Sequence, residues 1–207
     1  MAYAKSGVTS NTKRNIAFGA GVYAQNQPWD KVPTEEEVKS GLVGATNGGG
    51  KVTIKPNVIP LELDGMLVAV RGMEQKSGET AEMETNMAEI STDYLAKSVI
   101  GNASTTEDGK FDVIDSKSKI EDTDYYTGWG YIGQMLDGRA LMVIFKNART
   151  TEGLELEAKN GEQVTVPMKV ACYSDTAAGD DLEKLPYRIY IEKDGAMEPA
   201  TVDEVAD

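Results

Sequence analysis

The chain has 207 residues, of which 40% are hydrophobic, and its 34 acidic and 21 basic residues give a formal net charge of −13. It contains no histidine and a single cysteine, Cys172, which excludes Ser-His-Asp and Cys-His catalysis, the usual His/Cys zinc sites and an intrachain disulfide. Catalysis by carboxylates alone remains possible, as in glycosidases. No pair of carboxylates stands out in the sequence, so a glycosidase is a distant alternative. We expect no enzyme and no metal, nucleotide or other cofactor. The acidic balance also argues against nucleic-acid binding through counterion release.

The two ends of the chain differ in character from its middle. Residues 1–14 are polar and slightly basic and are predicted to form an N-terminal arm. Residues 15–192 are predicted to form a single β-rich domain, and residues 193–207 an acidic tail. Neither a signal peptide nor an apolar run long enough for a membrane anchor is visible. We therefore expect a soluble protein made in the cytoplasm.

The first part of the domain predicts one strand, a long loop and a second strand. The first strand is predicted at about 15–25, and the loop at 26–41 holds a short helical turn where Thr34 and Glu37 fit a capping box. Asn47 to Gly50 are predicted to form a turn before a strand at 51–57. A phosphate-binding loop is not indicated, because no Gly-Lys-Ser/Thr ending follows the glycines.

The segment 61–90 predicts a long antiparallel β-hairpin. Its second arm alternates between an apolar and a polar set, namely Ala81, Met83, Thr85 and Met87 against Glu82, Glu84 and Asn86. An isolated two-stranded ribbon is marginal in water. We therefore expect this hairpin to lie beside other strands, including those of other subunits.

The remainder of the domain predicts one helix followed by a series of strands. The helix is predicted at 92–100, a polar connection at 102–110, and strands at 125–136, 139–147, 154–159, 163–173 and 187–192. Asp137-Gly138 and Asn160-Gly161 are the turn dipeptides that join two pairs of these strands. The pattern predicts a mainly β fold with minor α+β character, either a β-sandwich or a barrel-like sheet with one flanking helix.

Several stretches of the chain, taken in order, are similar to one known family. They are FGAGVY at 18–23, GATNGGGKVTIKPN at 44–57, ELDG at 62–65, GETAEMETNMAEI at 78–90, LDGRALMVIFKNA at 136–148 and LEKLPYRIY at 182–190. Their order and spacing over residues 15–192 resemble the major tail tube proteins of bacteriophages with long, non-contractile tails, particularly those of Gram-positive hosts.

This resemblance implies a structural virion protein with the tail-tube type of β-sandwich. Subunits of that family form hexameric rings that stack into a tube, and double-stranded DNA passes through the tube during ejection without specific binding. The implied partners are further copies of the chain, the tape measure protein and the tail tip and terminator proteins. The implied location is the tail of the virion, after synthesis in the host cytoplasm.

Two sets of charged residues are candidates for roles in such a tube. Glu82, Glu84 and Asn86 are candidates for the wall of the lumen, because phosphates must not adhere there, although a simple solvated outer face explains them equally. The first 60 residues carry a net charge of +3, and the remainder −16. This split suggests contacts between rings through basic residues, namely Lys5, Lys13, Arg14, Lys31 and Lys39. A disordered arm is the alternative.

Two other functions fit the sequence. One is a tail-tube-like subunit of a bacteriocin or secretion apparatus, which shares the ring architecture. The other is a monomeric β-sandwich module that binds carbohydrate on an aromatic platform, formed by Tyr125, Tyr126, Trp129 and Tyr131. The spacing of these rings also fits ordinary cross-strand packing.

Overall fold

The structure, a computed structural model, describes residues 12–156, 160–161 and 163–193. Lys5, nearly all of the predicted N-terminal arm and the predicted C-terminal tail beyond residue 193 lie outside these residues. The fold is mainly β with a minor helical part, as the sequence predicted. The strands are β1 Ala17–Ala24, β2 Thr46–Pro60, β3 Glu74–Met87, β4 Gly101–Thr105, β5 Asp112–Ser116, β6 Tyr126–Met135, β7 Ala140–Thr150, β8 Val166–Cys172 and β9 Tyr187–Ile191. The helices are α1 Glu35–Ser40 and α2 Thr92–Val99, with short 3-10 turns at Thr12–Asn15 and Asp122–Asp124.

Seven strands form one antiparallel sheet in the order β1-β6-β7-β8-β3-β2, with β9 also paired to β7. The long strand β7 lies at the centre, because β9 pairs with its first half and β8 with its last residues. The sheet curls towards closure at the segment after α1. There Val43 N donates to Tyr23 O at 3.1 Å, and Ala88 N donates to Ala45 O at 2.8 Å. The segment thus links β1 to β3, which gives the sheet its barrel-like form.

The concave side of this sheet holds the core. Trp129 is fully buried at its centre, with its ring centroid 4.7 Å from that of Tyr126 and 6.2 Å from that of Tyr23. The alternation predicted for β3 is confirmed, since Ala81, Met83, Thr85 and Met87 are all buried. Helix α2 packs over the core through Tyr94, whose hydroxyl donates to Pro167 O at 3.1 Å. Ser91 caps that helix by accepting from Tyr94 N at 3.3 Å.

The other predicted turns and caps are mostly present, with one difference in form. The capping box of α1 is confirmed, because Glu37 N donates to Thr34 Oγ1 at 3.3 Å and Thr34 N donates to Glu37 Oε2 at 2.8 Å. Between β6 and β7, Met135 N donates to Arg139 O at 2.7 Å, so the turn closes around the three residues 136–138 rather than around two. Gly138 N donates to Met135 O at 3.0 Å, and only Gly138 in this turn has a positive φ, at 94°.

The position of the long hairpin was predicted wrongly. Its first arm is β2, Thr46–Pro60, and residues 61–73 form the loop between the arms rather than a strand. The predicted turn at Asn47 to Gly50 is instead the beginning of β2. Gly48 and Gly49 have positive φ values of 86° and 80°, and they form an irregularity in the pairing with β3. A run of glycines is compatible with a β-bulge as well as with a turn, so composition alone does not distinguish the two structures.

Two further predictions fail in the strand-poor parts of the chain. The segment 102–110, predicted as a polar connection, instead contains most of β4 and the turn of a small hairpin with β5, in which Asp108 accepts from Lys110 N at 3.2 Å. Of the strand predicted at 154–159, residues 154–156 are not in a strand, and 157–159 lie outside the described residues. The polar residues of β4 show no alternation of apolar and polar side chains, so the sequence pattern did not indicate this strand.

Candidate assembly surfaces

The aromatic platform considered for carbohydrate binding does not exist. Tyr126 and Trp129 are 2% and 0% exposed and belong to the core, and Tyr131 packs against the same cluster. Only Tyr125 points away from it, and its ring meets that of Tyr173 edge-on at 5.6 Å. The guanidinium of Arg149 lies over both rings, at 6.0 and 5.3 Å. The YYTGWGY run is therefore cross-strand packing.

The polar residues of β3 lie on the convex face of the sheet, opposite the core. Glu82 and Glu84 are half-buried, and Asn86 is exposed. Lys51 of β2 and Lys169 of β8 lie directly opposite Glu84 on its two sides. The sequence of one strand could not reveal these neighbours, since the register between strands brings them together.

These lysines pair with the glutamates. Lys169 Nζ lies 3.1 Å from Glu82 Oε2 and 3.4 Å from Glu84 Oε1, and Lys51 Nζ lies 3.4 Å from Glu84 Oε2. Burial opposes ionisation of Glu84, but Lys51 and Lys169 together lower the pKa of its carboxyl below the ordinary value. The face therefore alternates in charge and is not the purely acidic surface that β3 alone suggested.

The basic residues considered for contacts between rings are held in local interactions where the structure describes them. Lys31 Nζ lies 2.6 Å from Glu37 Oε1, and Lys39 Nζ lies 2.6 Å from Glu35 Oε1. The backbone carbonyl of Arg14 accepts from the Arg139 guanidinium. Lys13 lies in a 3-10 turn, and its side chain is outside the described part, as is all of Lys5. The contact between rings stays a prediction for these residues.

Many of the most exposed apolar residues lie on one ribbon, which the sequence pattern did not indicate. Beyond Glu79, β2 and β3 leave the body as a two-stranded ribbon, paired from Pro56 to Pro60 with Glu79 to Glu74, which ends in the loop 61–73. Leu67 and Val68 are 94% and 72% exposed. We call the exposed hydrophobic residues of this ribbon the apolar tip; they are Val58, Ile59, Leu61, Leu63, Leu67, Val68 and Val70. The run Met66 to Val70, which breaks the alternation of a strand, was the signal available in the sequence.

A second exposed apolar surface lies on β9, beside the half-buried Leu141 of β7. Ile189 and Ile191 are 51% and 57% exposed, and they lie opposite Val143 and Leu141 of β7. Directly paired residues share one face of a sheet. Because Val143 is buried in the core, this face is the uncovered continuation of the concave side. We call Leu141, Ile189 and Ile191 the β9 face.

The described part of the chain shows neither a metal site nor a membrane-spanning helix. Within it, no group of three or more His, Cys, Asp or Glu side chains is arranged to hold a metal ion. No helix among those residues is long and apolar enough to cross a membrane. Comparison with known proteins adds no relative, since neither a protein-family model nor a curated protein matches the chain.

Proposed function

We propose that this chain is the structural subunit of a bacteriophage tail tube. In this role it forms hexameric rings, which stack into a tube that conducts double-stranded DNA during ejection, and it has no catalytic activity. The proposal rests on the resemblance of residues 15–192 to that family and on the physical character of the subunit surface. Its partners are further copies of itself, the tape measure protein and the tail tip and terminator proteins.

The apolar tip is the observation that supports assembly most strongly. Soluble monomers rarely expose many large apolar side chains close together along the chain, and clusters of this kind usually mark interfaces. Full burial of one large aliphatic side chain contributes about 1.5–3 kcal/mol. Seven exposed aliphatic residues on one ribbon therefore favour association over a free monomer.

The strand edges of the subunit support the same proposal. In the described part of the chain, β2 pairs only with β3, and β9 pairs only with β7, so both present an open edge. Exposed edges are a liability that proteins cover or close. A barrel that continues from one subunit to the next removes these edges, as a closed sheet does.

The charge pattern of the convex face is compatible with passage of DNA. Duplex DNA carries roughly one negative charge per 1.7 Å of axis. A wall of unpaired lysines would retain it, whereas Lys51 and Lys169 are paired with Glu82 and Glu84. Paired charges on the lumen wall would leave no strong site for phosphate.

The test is negative-stain electron microscopy of the concentrated protein, combined with light scattering. We expect rings or hollow tubes of uniform width for the wild type. The double variant Leu67→Asp with Val68→Asp should lose them, because two carboxylates would be buried in the interface. The matched control is Leu182→Asp, which changes a side chain that is 75% exposed outside the ribbon. A wild-type protein that stays at 22.3 kDa at every concentration would contradict the proposal.

A further inference from the structure

A polar cavity lies on the convex side of the sheet, where β6, β7 and the segment after β8 lie side by side. Thr127, Asn147 and Tyr173 each follow or precede a buried core residue, so their side chains point away from the core. Thr127 lies opposite Asn147, and Tyr173 N donates to Asn147 O at 2.9 Å, so the three form one row across the sheet. The cavity has a volume of about 350 Å³. We call it the tyrosine cavity; its lining includes Asp122, Tyr125, Thr127, Asn147, Tyr173 and Asp175.

Two tyrosine rings form the apolar part of this cavity, and contacts within the chain hold them in place. Tyr125, which points away from the core, meets Tyr173 edge-on with the ring centroids 5.6 Å apart. The guanidinium of Arg149 lies over both rings. It donates to the Tyr173 hydroxyl at 3.1 Å and to Thr150 O at 3.3 Å. Because the rings are fixed before a ligand arrives, little entropy is lost when a ligand binds against them.

The polar groups of the cavity have hydrogen-bonding capacity to offer a ligand. Among the residues that the structure describes, neither the Asp122 carboxylate nor the hydroxyls of Tyr125 and Thr127 take part in a hydrogen bond. Asp175 Oδ1 accepts from Ala177 N at 2.9 Å, which leaves the second oxygen of that carboxylate for a ligand. The cavity therefore presents carboxylate acceptors beside hydroxyl groups that both donate and accept.

The charges around the cavity disfavour ionic ligands of either sign. An anion would meet the carboxylates of Asp122 and Asp175. A cation would find its usual place over the aromatic rings taken by the Arg149 guanidinium. A neutral ligand with hydroxyl groups on its edge and C–H groups on its faces avoids both conflicts. A sugar ring has this chemistry.

We propose that the tyrosine cavity binds one ring of a neutral saccharide. The sugar hydroxyls donate to Asp122 and Asp175, and the C–H groups lie against the tyrosine rings, whose faces are negative. The volume is near the lower end of the roughly 300–1,000 Å³ usual for ligand sites, so one ring fits and a long glycan chain does not. This binding activity goes beyond the proposed role in a tube.

Saturation-transfer-difference NMR of the full chain tests the site, with glucose, galactose, mannose and N-acetylglucosamine as probes at millimolar concentration. At least one of these sugars should receive saturation from the wild type. Asp122→Ala should weaken that binding about tenfold or more, because hydrogen bonds to a charged group are lost. Asp122 is exposed and its side chain makes no hydrogen bond among the described residues, so this variant should fold normally. The matched control is Asp115→Ala, which removes an exposed carboxylate of β5 outside the cavity and should leave binding unchanged.

Three outcomes would overturn the inference. The first is that the wild type transfers saturation to none of the four sugars. The second is equal affinity in the wild type and Asp122→Ala, since binding would then lie elsewhere. The third is tighter binding of glucuronate or glucosamine than of the neutral sugars, which would contradict the argument from charge. Sugar binding is measured on unassembled protein, so tubes without sugar binding refute only this inference, and sugar binding without tubes refutes only the proposed function.

The disaccharides maltose and lactose distinguish a free sugar from the end of a glycan. Saturation confined to one ring of a bound disaccharide would support the inference and identify the end of a glycan as the ligand. Binding of monosaccharides alone would support it and identify a free sugar.

Discussion

The core around Trp129 and the apolar tip around Leu67 are both rich in large hydrophobic residues, yet one is fully buried and the other almost fully exposed. In the core, every strand of the main sheet contributes a side chain to one cluster, and burial stabilises the monomer. On the ribbon, two strands pair only with each other, so no other strand in the described part of the chain covers the same kind of residue. The difference teaches that large hydrophobic residues in this sequence do not all serve folding: those around Trp129 form the core, whereas those around Leu67 stay uncovered in the subunit.

Truncation of one side chain in each region should show this difference in the free energy of unfolding, and this is the largest effect we expect. We expect Trp129→Ala to lower the free energy of unfolding by about 3–5 kcal/mol, because it removes a fully buried ring and leaves a cavity. Leu67→Ala should change the free energy of unfolding by less than about 0.5 kcal/mol, since that side chain is exposed. Urea denaturation of dilute, unassembled protein measures both. A large loss of monomer stability in Leu67→Ala would show that the tip takes part in the fold.

A glycine beside the core gives a second, smaller test of the same region. Gly128 of β6 has a φ of 57°, and an added Cβ would lie 2.0 Å from Gln27 O. Gly128→Ala should therefore destabilise the monomer by about 1–3 kcal/mol through strain at a positive φ, and more if the loop at Gln27 cannot move. Gly49→Ala is the control, because φ there is also positive, at 80°, but no atom lies within 4 Å of the added Cβ. Equal losses in thermal or urea denaturation would show that crowding at Gln27 contributes nothing.

Glu79 lies where the ribbon leaves the sheet. The pH dependence of stability that it causes should show whether it ties the ribbon to the sheet. Its side chain is 5% exposed and lies 2.7 Å from Lys76 Nζ. Burial opposes its ionisation, but hydrogen bonds from Lys76 and Leu185 N, with the charge of Lys76, lower the pKa of Glu79 below its ordinary value of 4.5. A carboxyl with a lowered folded pKa contributes stability above its unfolded pKa and loses it as pH falls through the folded pKa.

We therefore expect the free energy of unfolding to fall as pH decreases from about 4.5 downwards. Glu79→Gln should flatten this dependence and be less stable at neutral pH, because the amide cannot pair with Lys76 as a charge. Denaturant titrations of both proteins at a series of pH values measure the difference. Parallel curves for the two proteins would show that Glu79 does not tie the ribbon to the sheet.

The sequence predicted the fold where local pattern and tertiary context agree. The alternation of Met83 and Met87, the capping box at Thr34 and the glycine turn at Gly138 were each readable because the signal is local. The first arm of the hairpin was misplaced because the run Met66 to Val70 is apolar without being a strand. Exposed apolar residues look in sequence like residues of a core, and only the absence of a covering layer in the structure separates the two.

The candidate site was less predictable, since it depends on register. Glu82 and Glu84 were correctly placed on the face opposite the core, but Lys169 is more than 80 residues away along the chain and meets them only through the pairing of β3 with β8. The pairs turn an apparently acidic strand into a surface of alternating charge. No pattern within residues 61–90 carries that information.

The smallest expected effect comes from this charged surface, which belongs to the sheet but faces away from the core. Glu84→Gln removes two ion pairs, and partly exposed pairs of this kind contribute only about 0–1 kcal/mol each. Monomer stability should therefore change little, and assembly should persist, because the apolar tip is untouched. If this face lines the lumen, the freed Lys51, together with Lys169 now paired only with Glu82, should increase the retention of DNA by assembled tubes at low salt, and added salt should reverse it. Thr53→Gln, a neighbouring change on the same face without loss of charge, is the control. Retention unchanged from wild type in Glu84→Gln tubes would show that these lysines do not face the DNA.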